Sequence, residues 1–333
     1  MDRRFNLQKA KEDKRDWRFA KVVNVAAMPK KSLELADYIV YTLDQKNVGF
    51  CHSFAAATIK NAQEYMETGI PYELSPLYIA KQAKAIDSFP DTEGTDLLTI
   101  CKVLNKYGTV EERFYPFEKY KAGSLEFPKL ENEESLTHFK WGNYARLEDL
   151  GDLKNALNIG KYALIGIQVT DDIYKLEGYK GEDIPVLNFD PKGKMVIIGG
   201  HAVVGVKDCP DKGAILCKNS YGADWGKNGY FYIPYEYFTF ETKDIGFSLV
   251  MDMFAPVDIR NDKIRGTVME FYIDSDTAYV NGKEIKLTQA PKIDPQTNRT
   301  LIGLRDICEI LGCGVYWDDK QKKITILKEE ELK

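Results

Sequence analysis

Between Cys51 and Met66 the apolar residues fall at Phe54, Ala55, Ile59, Ala62 and Met66. At 3.6 residues per turn these positions cover an arc of roughly 140°, one face of an amphipathic helix that begins at Cys51. The polar "DQKN" and Gly49 just before it read as a tight loop. The same period predicts a second helix through "LSPLYIAKQAKAI" and a third through "TDLLTICKVLNKYG", closed by Gly108 as a C-terminal cap. Further along, the period changes. "YALIGIQV", "MVIIGGHAVVGVK", "GAILCKN" and "YFYIP" are short runs rich in β-branched and aromatic residues, separated by Gly, Pro and Asp. Helices first and strands after predict an α+β arrangement with a mostly antiparallel sheet in the second half.

The pattern restarts after "APVDIRNDKIRGTV". "EFYID" and "AYVNGKEIKL" carry an Asn281-Gly282 hairpin turn, "LRDICEILG" is a short helix closed by Gly312, and "GVYWDDKQKKITIL" is a second hairpin around "DDKQK". The chain therefore divides into a basic N-terminal arm (1–22), a main domain (23–255), a linker (256–268) and a small β-hairpin, helix, β-hairpin domain (269–333).

The 333 residues carry a net charge of −5, which gives a nucleic-acid partner no compositional support. The imbalance is uneven. Residues 1–21 hold eight Lys/Arg against four Asp/Glu, and the remainder is at −9. The arm reads as a solvated extension, the alternative being a segment docked on the acidic body. "FNLQKAKEDKRDWRF" lacks the apolar run of about 7–15 residues that a secretory signal needs, and no stretch approaches the ~20 apolar residues of a membrane span. The expectation is a chain that stays in the cytoplasm or leaves by a route other than Sec. None of the six cysteines forms a CxxC pair, so neither a zinc site nor a thioredoxin-like motif is expected. Cys209 and Cys217 flank "PDKG"; two reduced buried thiols are the plainer reading, a pair facing each other across a hairpin the other.

Cys51 could be a nucleophile, a ligand or a small core residue. A cysteine nucleophile needs a base to hold it as thiolate, and a third group to orient that base. There are three histidines, His52, His138 and His201. Adjacent helix residues point about 100° apart, so His52 does not turn back to the Cys51 sulfur. His138, in "LTHFKWGNY", reads as an exposed or core-edge residue. His201 sits in a buried-looking strand behind two glycines, where local sequence alone favours a satisfied core histidine. Asn219, however, ends the next strand. An antiparallel pair brings its carboxamide beside His201, fixing the tautomer and leaving the other ring nitrogen for Cys51. A cysteine at a helix N-terminus facing an imidazolium can have its pKa lowered from about 8.5 to roughly 3–4, some 6–7 kcal/mol in favour of the ion pair. The Cys51 backbone N–H and the Gln45 side chain complete the set as oxyanion donors, each worth about 10²–10³ in rate.

The series Gln45, Cys51, His201, Asn219 resembles the papain-like cysteine peptidases. "QKNVGFCHSFA" is similar to that family's cysteine segment, "GGHAVVGV" to its histidine strand, and "KNSYGADWGKNGYFYI", the most specific match, to its asparagine segment. Weaker likenesses extend the resemblance over residues 24–253. It implies a two-lobed fold, one lobe helical and one an antiparallel sheet, acting on a peptide or protein substrate through Cys51, His201, Asn219 and Gln45 without a cofactor or metal. The departures are His52 and Tyr221 where the family has tryptophans, and Val48 where many members have a disulfide cysteine. No long pro-segment is expected ahead of "NVAAMPKKS". Residues 269–333 resemble the copper amine oxidase N-terminal-like domain. They contain no histidine, so no copper site is expected. That resemblance implies an accessory module of exported bacterial proteins, attaching to a surface or particle. Among enzymes, a transglutaminase-like acyltransferase or a cell-wall amidase fits less well, because Gln45 and "NSYGADWG" have no place in it. The alternative from another class is a weak or inactive scaffold that acts as a binding or structural protein, attached by its C-terminal domain.

Overall fold

The computed structural model describes residues 3–13, 16–24, 34–191, 195–242, 247–257, 269–280, 283–297, 299–318 and 322–328. The chain forms two compact units, Met1–Asp258 and Ile259–Lys333.

In the first unit, a short helix α1 (Phe19–Val22) is followed by α2 (Cys51–Thr68), α3 (Pro76–Lys84) and α4 (Leu97–Lys106). The sequence marks the helix ends. Ser75 accepts from the Tyr78 N–H with Pro76 at the first helical position, Asp96 accepts from the Thr99 N–H, and Gly69 closes α2 in the left-handed region at φ 72°. Every residue of α2 from Cys51 to Ala62 is buried. That is more than an amphipathic stripe, and it separates two cores. One face, with Ala55, Ala56, Ile59 and Ala62, packs with strand residues Leu164, Ala202 and Val204. The other, with Phe54, meets Leu77, Tyr78, Tyr115 and Phe117. The alanines let the helix approach the sheet closely, and each fully buried large side chain such as Ile59 contributes about 1.5–3 kcal/mol.

The strands follow: β1 (Asn143–Arg146), then α5 (Leu150–Asn158), β2 (Ala163–Thr170), β3 (Ile197–Cys209), β4 (Ala214–Lys218), β5 (Tyr230–Pro234), a helix α6 (Tyr235–Thr239), a small ladder of β6 (Glu241–Thr242) and β7 (Phe247–Ser248), and β8 (Val250–Val257). Six of them form one antiparallel sheet in the order β1-β8-β2-β3-β4-β5. This is the two-lobed α+β fold the sequence predicts. The facing Cys209–Cys217 pair is not formed. The tight turn at residues 210–213 sets Cys209 opposite Ala214, which leaves Cys217 opposite Gly205, and both thiols are free.

The second unit contains a three-stranded sheet in the order β11-β10-β9, built from β9 (Met269–Phe271), β10 (Thr277–Val280) and β11 (Lys283–Lys286). A hairpin of β12 (Lys292–Asp294) with β13 (Arg299–Leu301), a helix α7 (Leu304–Ile310) and a hairpin of β14 (Cys313–Asp318) with β15 (Lys323–Lys328) follow. Asp306 ties α7 to the preceding loop by accepting from the Thr288 N–H and hydroxyl. The β12–β13 ladder is absent from the sequence-based expectation, since three-residue strands are too short to show a period. The turn residues Asn281 and Gly282 and the centre of "DDKQK" lie outside the described residues.

Candidate active site

Cys51 is the first residue of α2 and is fully buried. Main-chain groups of Ala202, His52 and Cys51 itself lie near enough to its sulfur to lower the thiol's pKa. Ala202 follows His201 on β3, so the helix start and the histidine strand meet at the thiol. His201, also fully buried, lies opposite Ile167 of β2. Its Nε2 is 2.8 Å from Asn219 Oδ1, just past the end of β4. The Ser220 N–H donates to the same oxygen at 2.8 Å. Two donors converge on Oδ1, which sets the amide orientation and makes Nε2 the protonated nitrogen, leaving Nδ1 as acceptor. The Tyr221 hydroxyl lies 3.4 Å from Nδ1, and its ring covers the imidazole at a centroid distance of 4.9 Å. Trp225 backs Tyr221 edge-on.

Gln45 belongs to the same assembly. Its main-chain N–H donates to Ser220 O at 2.9 Å, its Oε1 accepts from the Ser220 hydroxyl at 2.6 Å, and its Nε2 donates to Val48 O at 2.8 Å. One Nε2 hydrogen is thereby held and the other is left to aim. Ser220, which the sequence reading missed, thus connects Gln45 to Asn219. The structure brings all four expected residues together. His52 turns away, with Nδ1 2.9 Å from Ser53 Oγ and Nε2 3.2 Å from Glu93 O, so it braces the loop that carries Glu93 and Gly94.

The arm is docked, not solvated. The Leu7 N–H donates to Gly200 O and the Gln8 N–H to Thr95 O, both at 3.0 Å, so residues 5–8 lie as an extra strand between the two lobes. Phe5 meets His201 edge-on at 5.6 Å and the Tyr174 ring at 5.7 Å. The glycines make the room. A Cβ at Gly94 would lie 1.8 Å from Asn6 O, one at Gly200 2.3 Å from Leu7 O, and one at Gly166 2.9 Å from the Leu7 side chain. Ala10 donates to Asp252 at 2.7 Å, and Asp252 together with Asp16 is ion-paired to Arg146. Polar sequence does not prevent docking here, because Arg3 and Arg4 each find a carboxylate: Arg3 with Asp44 at 2.8 Å, Arg4 with Glu93 at 3.0 Å.

This cover reverses the expected thiol chemistry. Burial pushes the Cys51 thiol up to about 12, against the main-chain hydrogen bonds that lower it. Burial takes His201 down to about 4; Asn219 opposes that change, and the Arg3 charge adds to it. In this closed state burial favours the neutral form of both groups, and the Arg3 guanidinium further disfavours the imidazolium of His201.

A helical lobe and an antiparallel lobe that meet at a helix-start cysteine and a strand histidine define the thiol-peptidase architecture. The chain belongs to the papain family: the model for the papain family cysteine protease matches residues 31–243. Residues 261–330 match the copper amine oxidase N-terminal domain. Among the described residues no group of three or more His, Cys, Asp or Glu is placed to hold a metal ion, and no helix is long and apolar enough to cross a membrane. An uncharacterized peptidase C1-like protein of Acanthamoeba polyphaga mimivirus is 28% identical over 241 residues, covering 67% of this chain and 75% of that one. Oryzain gamma chain of Oryza sativa subsp. japonica is 27% identical over 220 residues, covering 62% of this chain and 56% of its own length. Of solved structures, xylellain, a cysteine protease from Xylella fastidiosa, aligns with a TM-score of 0.61 at 21% identity over 77% of this chain and 96% of that one. That likeness speaks for the fold alone.

Proposed function

We propose that the protein hydrolyses peptide bonds by thiol chemistry, in a state from which the arm has withdrawn. With the cleft open to water, the proton of Cys51 passes to His201, and the thiolate is held by the start of α2 and the Ala202 N–H. The sulfur attacks the peptide carbonyl carbon, and the oxyanion is met by the Cys51 N–H and the free Nε2 hydrogen of Gln45. As the C–N bond breaks, the imidazolium delivers its proton to the leaving amine. Water, deprotonated by His201, then attacks the thioester, releasing the acid and restoring the thiol. Asn219 acts through His201 by holding the ring. The substrate is a peptide or protein, and attachment to a surface or particle is assigned to the C-terminal unit.

The observation that carries this reading is the 2.8 Å contact of His201 Nε2 with Asn219 Oδ1, next to Ala202, whose main chain acts on the Cys51 thiol. Incubating the full chain with a denatured protein mixture and mapping new peptide termini tests it. New termini that disappear in Cys51→Ala are expected. A folded wild type that generates none, even with the arm loosened by Leu7→Asp, would leave only the inactive binding scaffold.

A further inference from the structure

Arg3 is held more completely than docking an arm requires. Its side chain is 4% exposed. Nη1 donates to Asp44 Oδ1 at 2.8 Å and to Lys46 O at 3.0 Å, Nη2 donates to Tyr221 O at 3.3 Å and lies 3.9 Å from Glu177, and the guanidinium carbon stands 4.4 Å over the Tyr221 ring. Two carboxylates, two carbonyls and an aromatic face converge on one planar cation. A lysine ammonium, a point donor on a flexible stem, would meet only part of this set. Arg4 differs: it is 40% exposed, and its partner Glu93 already accepts from the Gly49 N–H at 2.7 Å, Tyr120 at 3.1 Å and the Gly123 N–H at 2.5 Å. Arg4 thus sets a half-exposed, solvent-screened cation on a buried carboxylate that the body already satisfies with three donors.

Every group in the Arg3 cradle belongs to the body of the protein, so all remain when the arm leaves. The cradle also adjoins the reacting groups. Asp44 precedes Gln45, and the ring that stacks on Arg3 is the one covering His201. The Asp44 side chain is 35% exposed, which leaves the cradle a mouth. We propose that this cradle is a substrate subsite for an arginine side chain, filled here by the protein's own arm. The spacing follows from the occupant: the arginine stands two residues from the residue that lies against His201, as Arg3 does from Phe5. The proposal rests on the peptidase reading and adds to it a substrate class, peptides with an arginine near the scissile bond.

The test uses the full chain carrying Cys51→Ala, with Arg3→Gln and Leu7→Asp to empty the cleft. Fluorescein-labelled octapeptides in which one arginine, or its neutral isostere citrulline, is moved along an otherwise alanine and phenylalanine background are titrated by anisotropy. At one position arginine binds about tenfold or more tighter than citrulline, and adding Asp44→Asn brings that ratio close to one. Equal affinity of arginine and citrulline at every position overturns the proposal, and that comparison needs no Asp44 variant to fold. Binding is read without turnover, so a failure of the peptidase reading shows separately, as absence of cleavage by the chain that keeps Cys51.

Discussion

Leu7→Ala gives the most quantitative expectation. Leu7 is 4% exposed, lies against Leu97 and the space over Gly166, and donates its N–H to Gly200 O. Truncation leaves that main-chain bond intact and removes the side chain's burial. A buried leucine truncated to alanine costs about 2–5 kcal/mol, and the lower part of that range applies at a cleft that water can refill. The closed state should therefore weaken by about 2–3 kcal/mol. At 1.36 kcal/mol per decade, the open population rises by about 30- to 150-fold. If Cys51 reacts only when the arm is away, its alkylation by iodoacetamide accelerates by the same factor, read by peptide mapping over time. Cys101 and Cys217 are fully buried in the same unit and act as internal controls. Global unfolding would label them in step with Cys51, whereas arm release leaves them unreacted. An unchanged Cys51 rate in a folded Leu7→Ala protein would refute the claim that the arm gates the thiol.

Three further expectations come from the same geometry. Gln45→Ala removes one oxyanion donor and should lower kcat by about 10²–10³ while Cys51 alkylation stays nearly as fast, a split that general misfolding would not give. Arg146→Ala strands the carboxylates of Asp16 and Asp252 and should cost about 3–5 kcal/mol, seen as a fall in Tm of about 6–20 °C; no change would mean the ion triad contributes nothing net. His52 and His201 are each held at about 4 against an ordinary 6.5, so the folded protein binds fewer protons than the unfolded chain between those values. Their contribution to stability therefore falls as the pH drops through that window, by on the order of 3 kcal/mol for each. Burial raises Glu112 to about 7 and so pulls the opposite way over part of the range. The measurement is accordingly the difference in Tm between wild type and His52→Gln from pH 7.5 to 4.5: the gap should narrow on acidification, and a constant gap would contradict the assignment.

Much of the site was legible in the sequence because it depends on local periods. The 3.6-residue pattern set Cys51 at a helix start, and strand alternation with a short turn set Asn219 beside His201. The remainder depends on contacts distant along the chain. Nothing local marks residues 5–8 as a strand, since their partners Thr95, Asp96 and Gly200 lie about 90 and 190 residues away. Gly94, Gly166 and Gly200 make the room for the arm, but nothing in the sequence ties them to it. The tightness of the turn at residues 210–213 is likewise invisible in composition; it pairs Cys209 with Ala214, three residues short of Cys217. The direction of the thiol's pKa shift followed burial, which no local pattern reports: a helix N-terminus and an imidazole favour the ion pair where water reaches them.

The most direct test of the account is the pH profile of Cys51 alkylation in the full chain opened by Leu7→Asp, with and without His201→Ala. A thiolate held by an imidazolium predicts a rate nearly level from pH 5 to pH 8, while the His201→Ala chain gains reactivity only toward the ordinary thiol value of about 8.5. Two profiles that rise together near that value would show that His201 does not activate Cys51, and the peptidase mechanism would fail.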